Sequence, residues 1–170
     1  MEEIIDAIML LSRVRDEDIA ISEVDMKDCL QHALAQLEHQ FVVTNPILVV
    51  PDSMPNSLGY APWIQIIWTN YLSNALKYGG PTPIVTISCK VLNDKQAIYS
   101  VQDNGAGVPE EKMSSLFTPF QRLDATGSGN GLGLSIVKRI IERLNGTVSV
   151  TNAENGGAIF SFTLPLFNQK

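Results

Sequence analysis

The chain has 170 residues, 45% of them apolar and 18% charged, so it can bury a sizeable core and is not expected to be disordered. Its formal net charge of −6 argues against a nucleic-acid partner but leaves open one small anionic ligand in a local pocket. No secretory signal follows Met1 and no apolar run reaches about 18 residues, so we expect a cytoplasmic location without membrane contact. Cys29 and Cys89 lack CxxC spacing and are expected to be buried free thiols.

The first fifteen residues predict a helix with an apolar seam like that of a coiled coil. The seam consists of Ile4, Ile8 and Leu11. Residues 19–24 resemble a strand, and Asp25 after them is a suitable N-cap for a helix that we expect to end near His39. An apolar run over residues 41–50 follows, and Pro51 ends it.

Pro55, Gly59 and Pro62 punctuate a loop, and a long helix is predicted from about Pro62 to Tyr78. The sequence Gly79-Gly80-Pro81 stops that helix firmly. Two alternating stretches, residues 84–92 and 96–103, then predict a β-hairpin. Their apolar faces consist of Val85, Ile87, Cys89 and Val91 in the first stretch and Ala97, Tyr99 and Val101 in the second. Asp103 has the parity of this apolar set, so it is expected to point towards the core.

Residues 104–130 are rich in Gly, Pro, Ser and Thr and predict no long regular element, and a loop of this length in a compact domain is usually functional. Residues 132–144 predict an amphipathic helix. Its apolar face consists of Leu134, Val137, Ile140, Ile141 and Leu144. A closing hairpin is expected from residues 147–151 and 158–164. Interleaved helices and hairpins predict an α/β two-layer sandwich with a mainly antiparallel sheet.

The polar side of the long helix is the first candidate site. At 3.6 residues per turn its polar residues fall on one arc, opposite an apolar arc. This arc comprises Thr69, Asn70, Ser73, Asn74 and Lys77. Asn70 and Asn74 are one turn apart and could present amide oxygens to Mg²⁺, while Lys77 could meet a phosphate. A solvated polar face is the alternative.

The second candidate is the turn Asp103-Asn104-Gly105-Ala106-Gly107. An inward carboxylate is costly to bury unless it accepts from a donor, and the exocyclic amino group of adenine is such a donor. Gly105 and Gly107 would let the backbone approach a flat ring without a side-chain clash. An ordinary Asp-Asn-Gly turn is the alternative.

The third candidate is the glycine-rich run over residues 127–134, which leads directly into a helix. Its backbone N–H groups and the helix N-terminus suit phosphates, although it is neither a P-loop nor a dinucleotide fingerprint. Upstream, Phe117 and Phe120 could anchor a lid, and Arg122 could add positive charge to it. A flexible linker and a small satellite core under the loop are the respective alternatives.

In this order, the motifs resemble those of the GHKL ATPase superfamily and, within it, the sensor histidine kinases. Residues 70–78 resemble the N box, 103–107 the G1 box, 117–120 the F box and 129–134 the G2 box. The resemblance extends over residues 12–166. It implies the Bergerat fold, in which a mixed, mainly antiparallel sheet packs on three helices.

The resemblance also implies a site for ATP and Mg²⁺. Asn74 would ligate Mg²⁺ with Asn70 nearby, Lys77 would approach the phosphates, and Tyr78 would lie against the adenine. Asp103 would accept from the adenine amino group. Further nucleotide contacts are implied for Gly105, Gly107, Arg122, Gly129, Gly131, Leu132 and Gly133. Asn70, Asn74 and Lys77 are the residues implied to take part in catalysis.

One position distinguishes the subfamilies of this superfamily. Gyrase-like and mismatch-repair ATPases carry a water-activating glutamate where this chain has Asn70, an amide without useful basicity. Hydrolysis should therefore be slow, which favours a kinase over an ATPase. The histidines present, His32 and His39, are not followed by the acidic residue of the acceptor motif, so the acceptor is expected outside this chain.

The resemblance thus implies the catalytic domain of a protein-histidine kinase of a two-component system. Residues 1–15 resemble the tail of a second dimerisation helix, and residues 16–170 would form the ATP-binding domain. The γ-phosphoryl group would pass to a histidine on a separate dimerisation domain and then to a response-regulator receiver domain. We expect a monomer for this fragment and a homodimer for the parent protein. An anti-sigma-type serine kinase and a catalytically silent nucleotide-binding module are the alternatives, and the coiled-coil-like seam speaks against the serine kinase.

Overall fold

The computed structural model describes residues 2–123 and 129–167, so Met1, and Gly127 and Ser128 of the glycine-rich run, lie outside the described residues. The helices in the described part are α1 (Glu2–Asp16), α2 (Met26–Gln36), α3 (Glu38–Thr44), α4 (Ala61–Tyr78), α5 (Glu110–Met113) and α6 (Gly133–Arg143). The strands are β1 (Ser22–Val24), β2 (Ile47–Val49), β3 (Ser57–Gly59), β4 (Ile84–Asn93), β5 (Gln96–Gln102), β6 (Val148–Asn152) and β7 (Ala158–Pro165).

The main sheet has five strands in the order β2-β4-β5-β7-β6. The pair β2 and β4 is parallel, and the other neighbouring strands are antiparallel. Buried and half-buried residues alternate along β5, because α4 covers one face of the sheet. Helix α6 packs beside α4 on the sheet, and α2 packs on α4. The expected two-layer sandwich, with a mixed, mainly antiparallel sheet and three helices, is confirmed.

Large aromatic side chains hold α4 against the sheet. Trp68 packs edge-on against Phe162 at a ring-centroid distance of 5.2 Å, and Tyr71 lies 5.6 Å from Phe160. The hydroxyl of Tyr71 also donates to the carbonyl oxygen of Ser161 at 3.2 Å. These rings contribute much of the buried area of the core. Since they determine which side of α4 faces the sheet, they also determine where its opposite, polar arc points.

The region around α3 differs from the sequence prediction. Asp25 caps α2 as expected, because its side chain accepts from the backbone N–H of Asp28 at 3.0 Å. The helix expected to end near His39 instead breaks at Leu37 and resumes as α3. Part of the apolar run over residues 41–50 is therefore helical. Helix α3 is capped at its C-terminus by Asn45, which has a left-handed backbone conformation with a φ of 44°. Pro46 follows it directly.

Three smaller expectations also need correction. The loop predicted around Gly59 contains strand β3, a three-residue strand that pairs with β1 outside the main sheet and is too short to give a sequence period. Val91 was expected on the buried face but is 50% exposed, and the register of β4 and β5 shifts just after it, between Val91 and Asn93. Of the two free cysteines, Cys29 is buried as expected, whereas Cys89 is only half-buried.

Helix α1 packs against α6. Ala7 and Val14 are its buried apolar residues, and Arg143 of α6 donates to the backbone carbonyl of Glu17 at 2.9 Å. By contrast, Ile4 and Ile8 of the predicted seam are 40% and 50% exposed. Leu11, the third residue of the seam, is partly buried against the core, so the described part of this chain covers only that end of the seam. No helix among residues 2–123 and 129–167 combines the length and apolarity needed to cross a membrane.

Candidate functional site

A cavity of about 550 Å³ opens between α4, α3 and the glycine-rich segment that precedes α6. Most of the predicted site residues line it, namely Asn70, Asn74, Lys77, Tyr78, Arg122, Gly129, Gly131 and Gly133. Its charged or protonatable basic side chains are His39, Lys77 and Arg122, and no carboxylate occurs among the described residues that line it. In a chain of net charge −6, such a lining of cations, amides and glycines favours an anionic ligand.

The amide of Asn70 has a defined orientation. Its Nδ2 donates to the carbonyl oxygen of Ile66 at 2.8 Å, which turns Oδ1 away from that carbonyl. Oδ1 lies against Gly133, where any Cβ would overlap with it. A side chain at position 133 would therefore push α6 and α4 apart. The close contact leaves the amide oxygen at the floor of the cavity, beside the N-terminus of α6.

Asn74 and Lys77 lie further along the same face of α4. Asn74 is half-buried, and its amide makes no hydrogen bond to any described residue, so its oxygen can accept an external ligand. Lys77 Nζ is 5.0 Å from the ring centroid of Tyr78 and 3.7 Å from the position that a Cβ would take on Gly129. The lysine thus reaches from α4 to the glycine-rich segment on the other side of the cavity.

The inward orientation predicted for Asp103 is confirmed, since this residue is only 5% exposed. Its Oδ1 accepts from the backbone N–H groups of Gly105 at 2.8 Å and Ala158 at 3.2 Å. No described residue donates to Oδ2, the second carboxylate oxygen. A carboxylate this buried has a strong tendency to accept further donors. Oδ2 is thus the atom that an external donor would meet.

The turn after Asp103 adjoins the cavity without lining it. A Cβ on Gly105 would overlap with the carbonyl oxygen of Tyr78, so the turn packs directly against the last residue of α4. At Gly107, φ is +78° and a Cβ would lie 2.7 Å from Oδ1 of Asn152. Gly105 thus contacts Tyr78, which lines the cavity, whereas Asp103, Gly105 and Gly107 are not among the described residues that line it.

Asn152 holds this turn, and sequence reasoning missed it. Its Oδ1 accepts from the N–H of Val108 at 2.8 Å, and its Nδ2 donates to the carbonyl oxygen of Val108 at 2.9 Å. The amide thereby satisfies both backbone groups of Val108, as a residue on an adjacent β-strand would. An asparagine at a strand end carries no sequence signal that would have revealed this distant pairing.

The glycine-rich segment is joined to the phenylalanine loop through the backbone. The N–H of Phe120 donates to the carbonyl oxygen of Gly131 at 2.9 Å, and Gly131 has a φ of +71°. Phe117 is half-buried against Phe160, whereas Phe120 is 62% exposed, so only Phe117 is packed as an anchor. The side chain of Leu132 is buried and is not among the described residues that line the cavity.

Arg122 carries an unsatisfied group at the edge of the cavity. Its Nη2 is buried and has no hydrogen-bond partner among the described residues. A buried donor without an acceptor costs about 1–3 kcal/mol, more when it is charged. An anionic ligand in the cavity could supply the missing acceptor.

One wall of the cavity was not predicted. His39, Gln40, Val43 and Thr44 of α3 line it opposite the glycine-rich segment. Sequence reasoning missed this wall because the helix was expected to end near His39. The pair Asn45-Pro46, a strong helix stop six residues later, was the signal that could have corrected the boundary.

Comparison with known proteins yields one family and a consistent set of relatives. A family model described as histidine kinase-, DNA gyrase B-, and HSP90-like ATPase matches residues 59–168, more than half of the chain. The adaptive-response sensory kinase SasA of Synechococcus elongatus is 29% identical, over 98% of this chain and 45% of its own length. The sensor histidine kinase ZraS of Klebsiella oxytoca is 28% identical, over 95% of this chain and 35% of its own length. The chain therefore spans less than half the length of these two relatives.

Solved structures agree with the fold. A mycobacterial sensor histidine kinase, MprB, superimposes with a TM-score of 0.79 at 23% identity, covering 87% of this chain and 100% of its own. Full-length ShkA in complex with AMPPNP superimposes with a TM-score of 0.82 at 22% identity, covering 98% of this chain and 36% of its own. At these identities, the structures establish a shared architecture and no more.

Proposed function

Because the chain belongs to the histidine kinase-, DNA gyrase B- and HSP90-like ATPases, we propose that it is the ATP-binding catalytic domain of a sensor histidine kinase. It would transfer the γ-phosphoryl group of ATP to a histidine on a separate dimerisation domain. One observation carries the proposal. Beside apolar residues such as Leu116 and Phe160, the cavity is lined by cations, amides and glycines, with no carboxylate among the described lining residues, although the chain contains 18 Asp and Glu.

The groups around the cavity fit a nucleotide and its metal ion. The Nη2 of Arg122 has no hydrogen-bond partner among the described residues, and the ammonium group of Lys77 adds a second positive charge to the lining. Amide oxygens are hard ligands of the kind that Mg²⁺ accepts, and Asn74 and Asn70 present two of them one turn apart. When bound, Mg²⁺ would neutralise charge on the phosphates. The protein would contribute chiefly positioning and electrostatic stabilisation.

Nucleobase selection would lie with Asp103 at the inner end of the site. Its Oδ1 is occupied by two backbone donors, so Oδ2 would accept from the exocyclic amino group of adenine. Tyr78 lines the cavity, and its backbone carbonyl lies against Gly105 of the turn, so its ring would pack against the base. Gly105 and Gly107 would keep side chains away from the ring.

The lack of a carboxylate base among the described residues that line the cavity supports transfer over hydrolysis. Asn70 donates through Nδ2 to a backbone carbonyl, and an amide cannot abstract a proton from water. No described residue of the lining is a carboxylate that could replace it. Hydrolysis in the absence of an acceptor should therefore be slow.

The N-terminal helix supports the partner that we propose. Ile4 and Ile8 of α1 are exposed at coiled-coil spacing, which suits the end of a helix that pairs with others in a dimerisation domain. Residues 1–15 would be the tail of that domain, and the rest of the chain the ATP-binding domain. In the parent homodimer the phosphorylated histidine would then pass its phosphoryl group to a response-regulator receiver domain.

The decisive experiment supplies the missing acceptor. The domain is incubated with γ-labelled ATP, Mg²⁺ and a separately produced histidine-bearing hairpin, with Asn74→Ala as the inactive control. We expect acid-labile, base-stable label on the hairpin. Acid-stable label would instead indicate a serine kinase. ATP binding without label on the hairpin would indicate a silent nucleotide-binding module.

A further inference from the structure

Helices α2 and α3 lie alongside α4 in a register that two hydrogen bonds define. The hydroxyl of Thr69 donates to Gln36 Oε1 at 3.1 Å, and the hydroxyl of Ser73 donates to Gln40 Oε1 at 3.3 Å. Both pairs are separated by 33 residues in sequence. The helices therefore run side by side in the same direction, and each residue of α3 is level with the residue 33 positions later in α4.

This register gives the position of His39 along the axis of α4. Position 39 + 33 is 72, which lies midway between Asn70 and Asn74. At a rise of 1.5 Å per residue, His39 is within about 3 Å of either asparagine along the helix axis, and about 9 Å from the level of Tyr78. His39 thus lines the part of the cavity where metal and phosphates would lie, away from the part that would hold the base.

The surroundings of His39 are suited to an anion. It is exposed on α3 and faces a cavity whose other walls contribute Lys77 and Arg122. Charged or titratable groups on the elements around it are Glu38 on α3, Lys27, Asp28 and His32 on α2, Lys77 and Tyr78 on α4, and Arg122 in the loop. Of these, only Lys77, Tyr78 and Arg122 line the cavity with it.

We propose that His39 binds the phosphate chain of the nucleotide from the α3 wall, opposite the glycine-rich segment. This inference rests on the proposed function and adds a residue that the motifs do not contain. The imidazole N–H would donate to a phosphate oxygen, and its protonated form would add charge attraction. The α3 wall and the glycine-rich segment would then contact the polyphosphate from two sides. A hydrogen bond from Ser73 to Gln40 joins α3 to α4.

The chain offers a matched control for the test. His32 is the other histidine, exposed on α2, and its Nδ1 is hydrogen-bonded to the carbonyl oxygen of Asp28 at 2.9 Å. It is not among the described residues that line the cavity. Calorimetric titrations with ATP, ADP and adenosine would be made on wild type, His39→Ala, His39→Gln and His32→Ala. Thermal melts of each variant would verify folding.

We expect His39→Ala to weaken ATP binding by about threefold to tenfold, the effect of one exposed hydrogen bond to a charged group. His39→Gln should retain part of the affinity because it keeps an N–H donor. Adenosine binding by both variants, and ATP binding by His32→Ala, should stay within about twofold of wild type.

Two results would overturn the inference while leaving the proposed function intact. One is wild-type ATP affinity in His39→Ala. The other is an equal loss for adenosine, since His39 would then support the site as a whole and make no specific phosphate contact. A wild-type domain that binds no ATP would remove the proposed function together with this inference.

Discussion

Replacing Asp103 with asparagine separates nucleobase recognition from folding. An asparagine in the same rotamer keeps an oxygen for the N–H groups of Gly105 and Ala158, which donate to Oδ1 in the native protein. The change falls on Oδ2, an acceptor without a described partner, which becomes an NH₂ donor. The folding cost is the weakening of two charge-assisted hydrogen bonds, in total about 1–2 kcal/mol. For a domain of this size that lowers Tm by roughly 2–8 °C.

The effect on nucleotide choice should be much larger. In the wild type, the amino group of adenine would donate to Oδ2, whereas inosine triphosphate presents a carbonyl to the same atom. A buried acceptor facing an acceptor costs several kcal/mol, so ATP should be preferred by roughly 10³. In the variant the new amide donor faces the adenine amino group and matches the carbonyl of inosine. The preference should therefore fall to within about tenfold, or reverse.

The assay is a titration of both nucleotides on wild type, Asp103→Asn and Asp18→Asn. The last variant loses the same charge at an exposed position that lies before β1. Asp18→Asn should keep the wild-type preference for ATP. If Asp103→Asn remains folded and its ratio of ATP to inosine triphosphate affinity equals that of wild type, Asp103 does not recognise the base.

Three further predictions concern the metal, the backbone and pH. Asn74→Ala should remove most of the Mg²⁺-dependent part of ATP affinity and leave the affinity measured in EDTA almost unchanged. An unaltered magnesium dependence would exclude Asn74 as a metal ligand. Gly105→Ala should destabilise the fold by about 2–4 kcal/mol because its Cβ meets backbone, whereas Gly80→Ala, with a φ of +77° and open space around it, should cost only about 1–2 kcal/mol; equal melting temperatures would contradict the close packing. Burial raises the pKa of Cys29 and of Tyr99 to about 12, from 9.0 and 10.0, so the folded state holds these protons more tightly than the unfolded chain. The stability they contribute is complete below about pH 9 and should be lost as pH rises towards about 12, and urea unfolding at a series of alkaline pH values would show a flat profile if this reasoning were wrong.

Local patterns were sufficient for the elements that repeat a period. Alternation predicted β5 and the inward orientation of Asp103, because the parity of a strand carries over to the residue that follows it. Helical spacing predicted the polar arc of α4 that carries Asn70 and Asn74, since 3.6 residues per turn places them on one side. Each of these features depends only on neighbours within a few residues, which the order of amino acids specifies directly.

The remaining features depend on contacts between distant residues. The α3 wall of the cavity exists because Gln40 meets Ser73, and the turn after Asp103 abuts α4 because Gly105 packs on the carbonyl of Tyr78. Neither pair shares a local period, so no pattern along the chain could reveal it. The amino-acid order therefore determined which groups are available for a nucleotide. Only the packing of the helices on the sheet decided which of them share a cavity, since that arrangement is a property of the whole core.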